Sequence, residues 1–350
     1  MGQPRGGRRN PRTREVLGVA FTGIFLLLAS AAISGEGGIQ GLTGTLWVTD
    51  EWENAVVKIE AATGKVLAVI PVGKKPVAVS APKGTGKIYV SDESDNMVSV
   101  IDKATATVTK KISVGLKPHH MHRSPNGKFV YVGLFGTNRV AVISTANDKL
   151  VAEYVTGPPG ARTHAPWASS DGKTVWVANS TVNEVAKLDV VTGKILRTIK
   201  VRRSPSEVLI TKDGKIAYVS VGPNALQVID LSSNTIIREI EVGTMPDTLS
   251  LTRNAAIMFI GLRGAAAAAV VDTRSLTVKQ INLLGITTGH NAVSDDGRFA
   301  FIAVVGPPDS GVAVVDLQNL SVAAFYAYPG SGQPHGLIFE PSDDGDNTAD

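Results

Sequence analysis

A short β-branched stretch carrying one aromatic residue recurs seven times in this chain, at Trp47, Tyr89, Tyr131, Trp176, Tyr218, Phe259 and Phe301. Successive gaps are 42, 42, 45, 42, 41 and 42 residues. A β-rich repeat of that length is the size of one four-stranded propeller blade and leaves no room for a helix. The period predicts an all-β fold over residues 45–341, a seven-bladed β-propeller of four-stranded antiparallel blades. Each repeat reads as an inner strand (118–124), a hairpin turn, a second strand with the aromatic, a third strand (98–102, 226–230, 312–316) and a fourth (236–242). Asn126-Gly127, Asp171-Gly172, Asp213-Gly214 and Asp296-Gly297 supply the positive φ that tight turns need. Asp102, Asp189, Asp230, Asp272 and Asp316 end third strands, where a carboxylate fixes the next turn by accepting backbone N–H groups. The first repeat begins at its second strand, near Thr45, and residues 333–341 read as an inner strand with nothing after it. Pairing these terminal strands in one blade would close the ring and remove two open edges.

The pattern G-x-x-P, an apolar strand, S-P-[DN]-G-K, [YW]-V, N-x-V-x-V-I-D and a last strand ending in V-G resembles the YVTN-type (YncE-like) β-propeller repeat family of exported proteins. The resemblance covers residues 45–341. It implies the fold and leaves function open, since surface proteins, binding modules and relatives of enzymes share such propellers. The sixth repeat departs from it, with Arg253-Asn254-Ala255 at the turn and five alanines after Gly264.

Outside the repeats the chain is short. Residues 1–14 hold five arginines, an apolar run follows from Val16 to Leu28, and Ala29-Ser30-Ala31 has the small residues of a cleavage site. Residues 1–31 thus read as a secretory signal peptide or, if uncleaved, as a membrane anchor through the N-terminal segment. Residues 32–44 read as a linker and 342–350 as a disordered acidic tail. Export places the protein in the periplasm, at the cell surface or in the medium. The formal charge of +4 comes from the leader: without its five arginines and one glutamate, 30 basic residues face 30 acidic ones. No basic stripe remains for nucleic acid. The absence of cysteine excludes disulfides, thiolate metal sites and cysteine nucleophiles. Nothing in the pattern calls for assembly, so a monomer is expected.

The functional signal is the placement of histidine. Twelve residues before each aromatic stand Val77, His119, His164, Ser206, Asp247 and Gly289, with His335 in the closing strand. Eleven before it stand Ala78, His120, Ala165, Glu207, Thr248 and His290, with Gly336 last. Five of the six histidines therefore occupy two adjacent registers, and His122 lies two residues further along one strand. A ring of blades turns these registers toward one axis, on the face where seven loops converge. His119, His164, His290 and His335, with Glu207 and Asp247, form the expected metal set, suited to Zn, Fe, Cu or Mn. Strand alternation assigns His120 and His122 to a different face and a structural role. Asp50, Glu51, Glu53, Asp92, Glu93 and Asp95, with Trp52, sit in the first two rim loops, where solvated turns are the simpler account.

Two outlines extend the reading. A four-blade histidine set resembles the iron site of carotenoid-cleaving oxygenases, and Leu46-Trp47-Val48-Thr49-Asp50 resembles a repeat of streptogramin lyases, whose metal site polarises a carbonyl while a histidine removes a proton. The expected function is a binding or interaction protein holding a metal ion or a small-molecule or protein ligand at a histidine-lined mouth. The alternatives are a metal-dependent lyase, oxygenase or other oxidoreductase at the same place, with no catalytic residue assignable, and a non-catalytic surface scaffold.

Overall fold

The computed structural model describes residues 38–283, 285–306, 309–328 and 332–342. The expected leader, the first part of the linker and the tail beyond 342 lie outside the described residues. The described residues form 28 strands in seven four-stranded antiparallel sheets and no helix. Six sheets take consecutive strands in order; in the third, for example, Pro118–Arg123 is innermost, followed by Phe129–Leu134, Arg139–Ser144 and Lys149–Val155. The first sheet joins the ends of the repeat region: the inner strand Pro334–Glu340 pairs with Thr45–Asp50, ahead of Ala55–Glu60 and Val66–Pro71.

Closure is secured by more than the strand ladder. Gly336 N donates to Thr49 Oγ1 at 2.7 Å, Gln333 N to Asp50 Oδ1 at 3.0 Å and the Trp47 indole N–H to Glu340 at 3.0 Å. Lys103, from the next blade, pairs with the same glutamate.

The repeat aromatics are core residues, all 6% exposed or less. Buried apolar side chains divide into seven clusters, one for each seam between neighbouring sheets. One holds Tyr89, Val98 and Val100 of the second blade against Val130, Val132 and Ala141 of the third. A β-sheet with one apolar face needs a second sheet to cover it, and the ring gives every sheet two neighbours.

The third-strand aspartates act as turn caps. Asp189 Oδ1 accepts Val191 N at 3.1 Å and Thr192 N at 2.7 Å, and Asp102, Asp230, Asp272 and Asp316 do the equivalent. Four inner hairpins place glycine at the left-handed position, with φ of 67° to 69° at Gly127, Gly172, Gly214 and Gly297. The sixth blade puts Ala255 there at φ 55°.

Two substitutions test this account. Ala255 is exposed, so Ala255→Gly relieves left-handed strain without losing packing and should raise stability by about 1 kcal/mol in urea melts. Gly336 lies against the neighbouring inner strand, where an added Cβ would meet Val77 O at 2.2 Å. Gly336→Ala should therefore lower stability by about 2 kcal/mol at the closing seam.

Candidate metal centre at the propeller axis

All seven inner strands carry the same irregularity, and it builds the site. In the third blade Pro118 pairs with Leu134 and Met121 with Val132, so three steps along the inner strand match two along its partner. The same shift falls at Pro76/Val79, Thr163/Pro166, Pro205/Val208, Pro246/Leu249 and between Pro334 and Leu337; the seventh blade has a longer one at Thr287/Asn291. A bulge of this kind breaks side-chain alternation and frees backbone groups from the ladder. The residues inside the seven bulges are those of the two histidine registers: His119-His120, His164-Ala165, Ser206-Glu207, Asp247-Thr248, Thr288-Gly289-His290, His335-Gly336 and Val77-Ala78.

Freed backbone groups find local partners. Ala78 N and Glu207 N donate to the hydroxyls of Ser91 and Ser220, both at 3.0 Å, as Gly336 N does to Thr49. Bulge carbonyls are used across blades: His164 Nδ1 donates to Ser206 O at 2.6 Å and His335 Nδ1 to Val77 O at 3.0 Å. A carbonyl only accepts, so both Nδ1 atoms carry the proton. The His164 ring, which burial favours in its neutral form, is left with its lone pair on Nε2, the arrangement by which an outer partner orients a metal-binding imidazole.

Five imidazoles meet at the axis. Ring centroids are 4.7 Å apart for His119 and His164, 4.5 Å for His120 and His164, 4.5 Å for His120 and His290, and 4.2 Å for His290 and His335. His120 Nε2 and His290 Nε2 lie 3.0 Å apart, one donating to the other in the neutral pair. The ligand atoms of His119, His120 and His164 all fall within 4.8 Å of one another. His119 and His335 are farther apart, at 6.4 Å between ring centroids.

This geometry corrects the alternation argument for His120. It stacks on His119 at 4.9 Å and joins the axial group, because the bulge turns both consecutive residues inward. His122, past the bulge, lies apart from the axial group, stacks on Trp167 at 4.2 Å and accepts Ala168 N at 3.2 Å. Glu207 and Asp247 are both buried nearby. Glu207 accepts Leu249 N at 2.5 Å, whereas Asp247 Oδ1 has no partner among the described residues and Oδ2 lies 3.6 Å from Arg263. Rim acids approach the outer histidines: Glu93 is 3.7 Å from His119 Nε2, and Glu51 is 3.7 Å from His335 Nδ1. Sequence position alone did not pair these. Phe135 packs beside His119 and His164 at 5.2 and 5.5 Å, under Arg162.

Burial sets the protonation states. It holds His119, His120 and His290 well below the usual histidine range, and the neighbouring imidazoles reinforce it; His164 is lowered too, with Asp247 opposing. Burial pushes the Glu207 carboxyl up to about 8, with the Leu249 N–H opposing and Asp247 adding to the rise. At neutral pH His119, His120, His164 and His290 are thus uncharged imidazoles beside a protonated Glu207.

Residues 124–256 match the family model described as YNCE-like beta-propeller. Around that match the chain is a seven-bladed β-propeller, and its middle blades are similar to that family. No curated protein matches it. Among solved structures, hydrazine synthase of Kuenenia stuttgartiensis aligns with TM-score 0.68 and 22% identity over 78% of this chain and 92% of that one. A functionally unknown protein from Desulfotomaculum acetoxidans DSM 771 aligns with TM-score 0.74 and 14% identity over 86% and 100%. Dihydro-heme d1 dehydrogenase NirN, in complex with DHE, aligns with TM-score 0.62 and 18% identity over 82% and 64%. At these identities the likeness to this propeller is one of fold.

The shifted groups give stability a defined pH dependence. Below about pH 6.5 the unfolded chain protonates histidines that the fold keeps neutral, so stability falls with acid, by up to about 1.4 kcal/mol per pH unit for each. Glu207 acts oppositely: between about 4.5 and 8 the fold keeps a proton that the unfolded chain releases, so stability falls as pH rises. At least three histidines outweigh one glutamate on the acid side. Urea melts should show a maximum near pH 6.5, and Glu207→Gln should remove the alkaline decline.

Proposed function

We propose that this protein is an exported propeller that binds one divalent transition metal ion at its axis, through His119, His120 and His164 with His290 adjacent. The expected set of His119, His164, His290 and His335 is thereby redrawn to include His120, with His335, Glu207 and Asp247 around it. The observation that carries the reading is the convergence of three imidazoles within 4.8 Å, two of them consecutive in a bulge. Two nitrogens bonded to one ion at about 2.1 Å, about 90° to 110° apart, are separated by about 3.0–3.4 Å. The His120–His290 spacing of 3.0 Å already meets that value, and the ligand atoms of His119, His120 and His164, within 4.8 Å of one another, would draw together around the ion. Neutral imidazole with hard-held tautomers suits Zn, Cu, Fe or Mn, and Asp247 supplies an unpartnered carboxylate oxygen. Export follows from the basic, apolar and small-residue segments of residues 1–31, which also leave a membrane anchor as the uncleaved form.

Metal-dependent catalysis is the second reading, and Glu207 favours it. A buried carboxyl that holds its proton at neutral pH can serve as an acid beside the same imidazoles.

Titration of metal-free protein with Co²⁺, followed by its visible absorption, should saturate at one equivalent. His120→Ala and His164→Ala should each weaken binding at least about tenfold, and His122→Ala should leave it unchanged. Equal effects of His120→Ala and His122→Ala would count against the site.

A further inference from the structure

A second feature lies on the other side of the histidine layer. A cavity of about 290 Å³ runs from His120, His290 and Glu207 along the inner strands to the face that bears the inner hairpin turns. The ring around it is uneven. Opposite the repeat aromatics, Trp167 and Leu209 fill one arc, and Ser250 and Ala292 leave the next one open. A volume of this size is about ten waters' share of liquid, enough for a molecule of one or two rings.

The lining changes character with depth. Midway along, Met121, Trp167, Leu209, Leu249 and Ile338 give an apolar wall, made flat on one side by the stack of Trp167 on His122. Among the described residues, the outer end holds Arg123, Lys212, Arg253 and Asp295. Arg123 is the last residue of its inner strand, and the other three each lie two residues past the end of theirs. Three cations against one acid leave this mouth positive. Asp213 and Asp296, further along the same turns, are engaged there, accepting the backbone N–H groups of Lys215 and Arg298 at 3.1 and 3.0 Å.

We infer that this cavity binds a small aromatic monocarboxylate, with the ring inward and the carboxylate at the hairpin face. The apolar wall takes the ring by burial, and a flat group gains further contact against Trp167. The carboxylate rests where Lys212 and Arg253 are exposed, so it keeps much of its hydration instead of losing it in the interior. Arginine carries five N–H donors in a fork that matches two carboxylate oxygens, enough to hold a ligand beside another partner. Exposed cations contribute little singly, but three around one narrow mouth favour an anion over its neutral analogue and disfavour a cation.

The site stands on the cavity and not on the ion, so its test uses the full chain freed of metal. Calorimetry with phenylpropanoate should show saturable binding at one site. Phenylpropanamide should bind at least about tenfold more weakly, and phenethylammonium more weakly still. Lys212→Gln combined with Arg253→Gln, two exposed positions, should weaken the carboxylate at least about threefold and leave the amide unchanged. Ser250→Leu and Ala292→Leu fill the open arc, and either one, if folded by its thermal melt, should weaken both ligands at least about tenfold. Absence of saturable binding, an amide bound as tightly as the carboxylate, or carboxylate affinity unchanged in the folded variants would each overturn the inference. Binding that appears only after Co²⁺ is restored would put the carboxylate on the ion and overturn it too. Phenylpropanoate binding to a protein that takes up no Co²⁺ would support this site and sink the metal reading.

Discussion

Apolar packing between twisted neighbouring sheets is the interaction on which this molecule depends. Each blade alone would expose two apolar faces; in the ring, seven seams bury them, with the repeat aromatics at their centres. The chain has no cysteine, so no disulfide assists. The ring has no free choice of end, because the last inner strand is consumed in the first sheet, and its bonds to Thr49, Asp50 and Trp47 tie residues nearly 300 positions apart. Axial chemistry follows from that closure, since histidines on four separate blades meet only if all seven seams hold.

The bulges convert a regular architecture into a site. A plain inner strand would present one register to the axis and the other to a neighbouring sheet. Instead, two consecutive residues per blade, three in the seventh, leave the ladder, and the hydroxyls of Thr49, Ser91 and Ser220 take up N–H groups so released. Carbonyls freed by the same shift hold the rings of His164 and His335. One irregularity therefore supplies the side chains, their orientation and their tautomers.

Electrostatics then limits what the axis can hold. Imidazoles 4.2–4.9 Å apart and buried cannot all be charged, and the carboxyl of Glu207 stays protonated for the same reason of desolvation. A metal ion would bring the positive charge that the protein itself excludes.

Blade number, closure, the aspartate-capped turns and the two histidine registers were legible in the sequence, because each depends on spacing along the chain or on turn chemistry local to a few residues. The placement of His120 was not: alternation along a strand sends it away from His119, and only the pairing register, a relation between strands, reveals the bulge that brings it back. The approach of Glu93 to His119 and of Glu51 to His335 was hidden for the same reason. Local order comes from residues within reach of one another along the backbone. Contact across an axis is decided by how seven sheets twist and close, and that is a property of the packed ring.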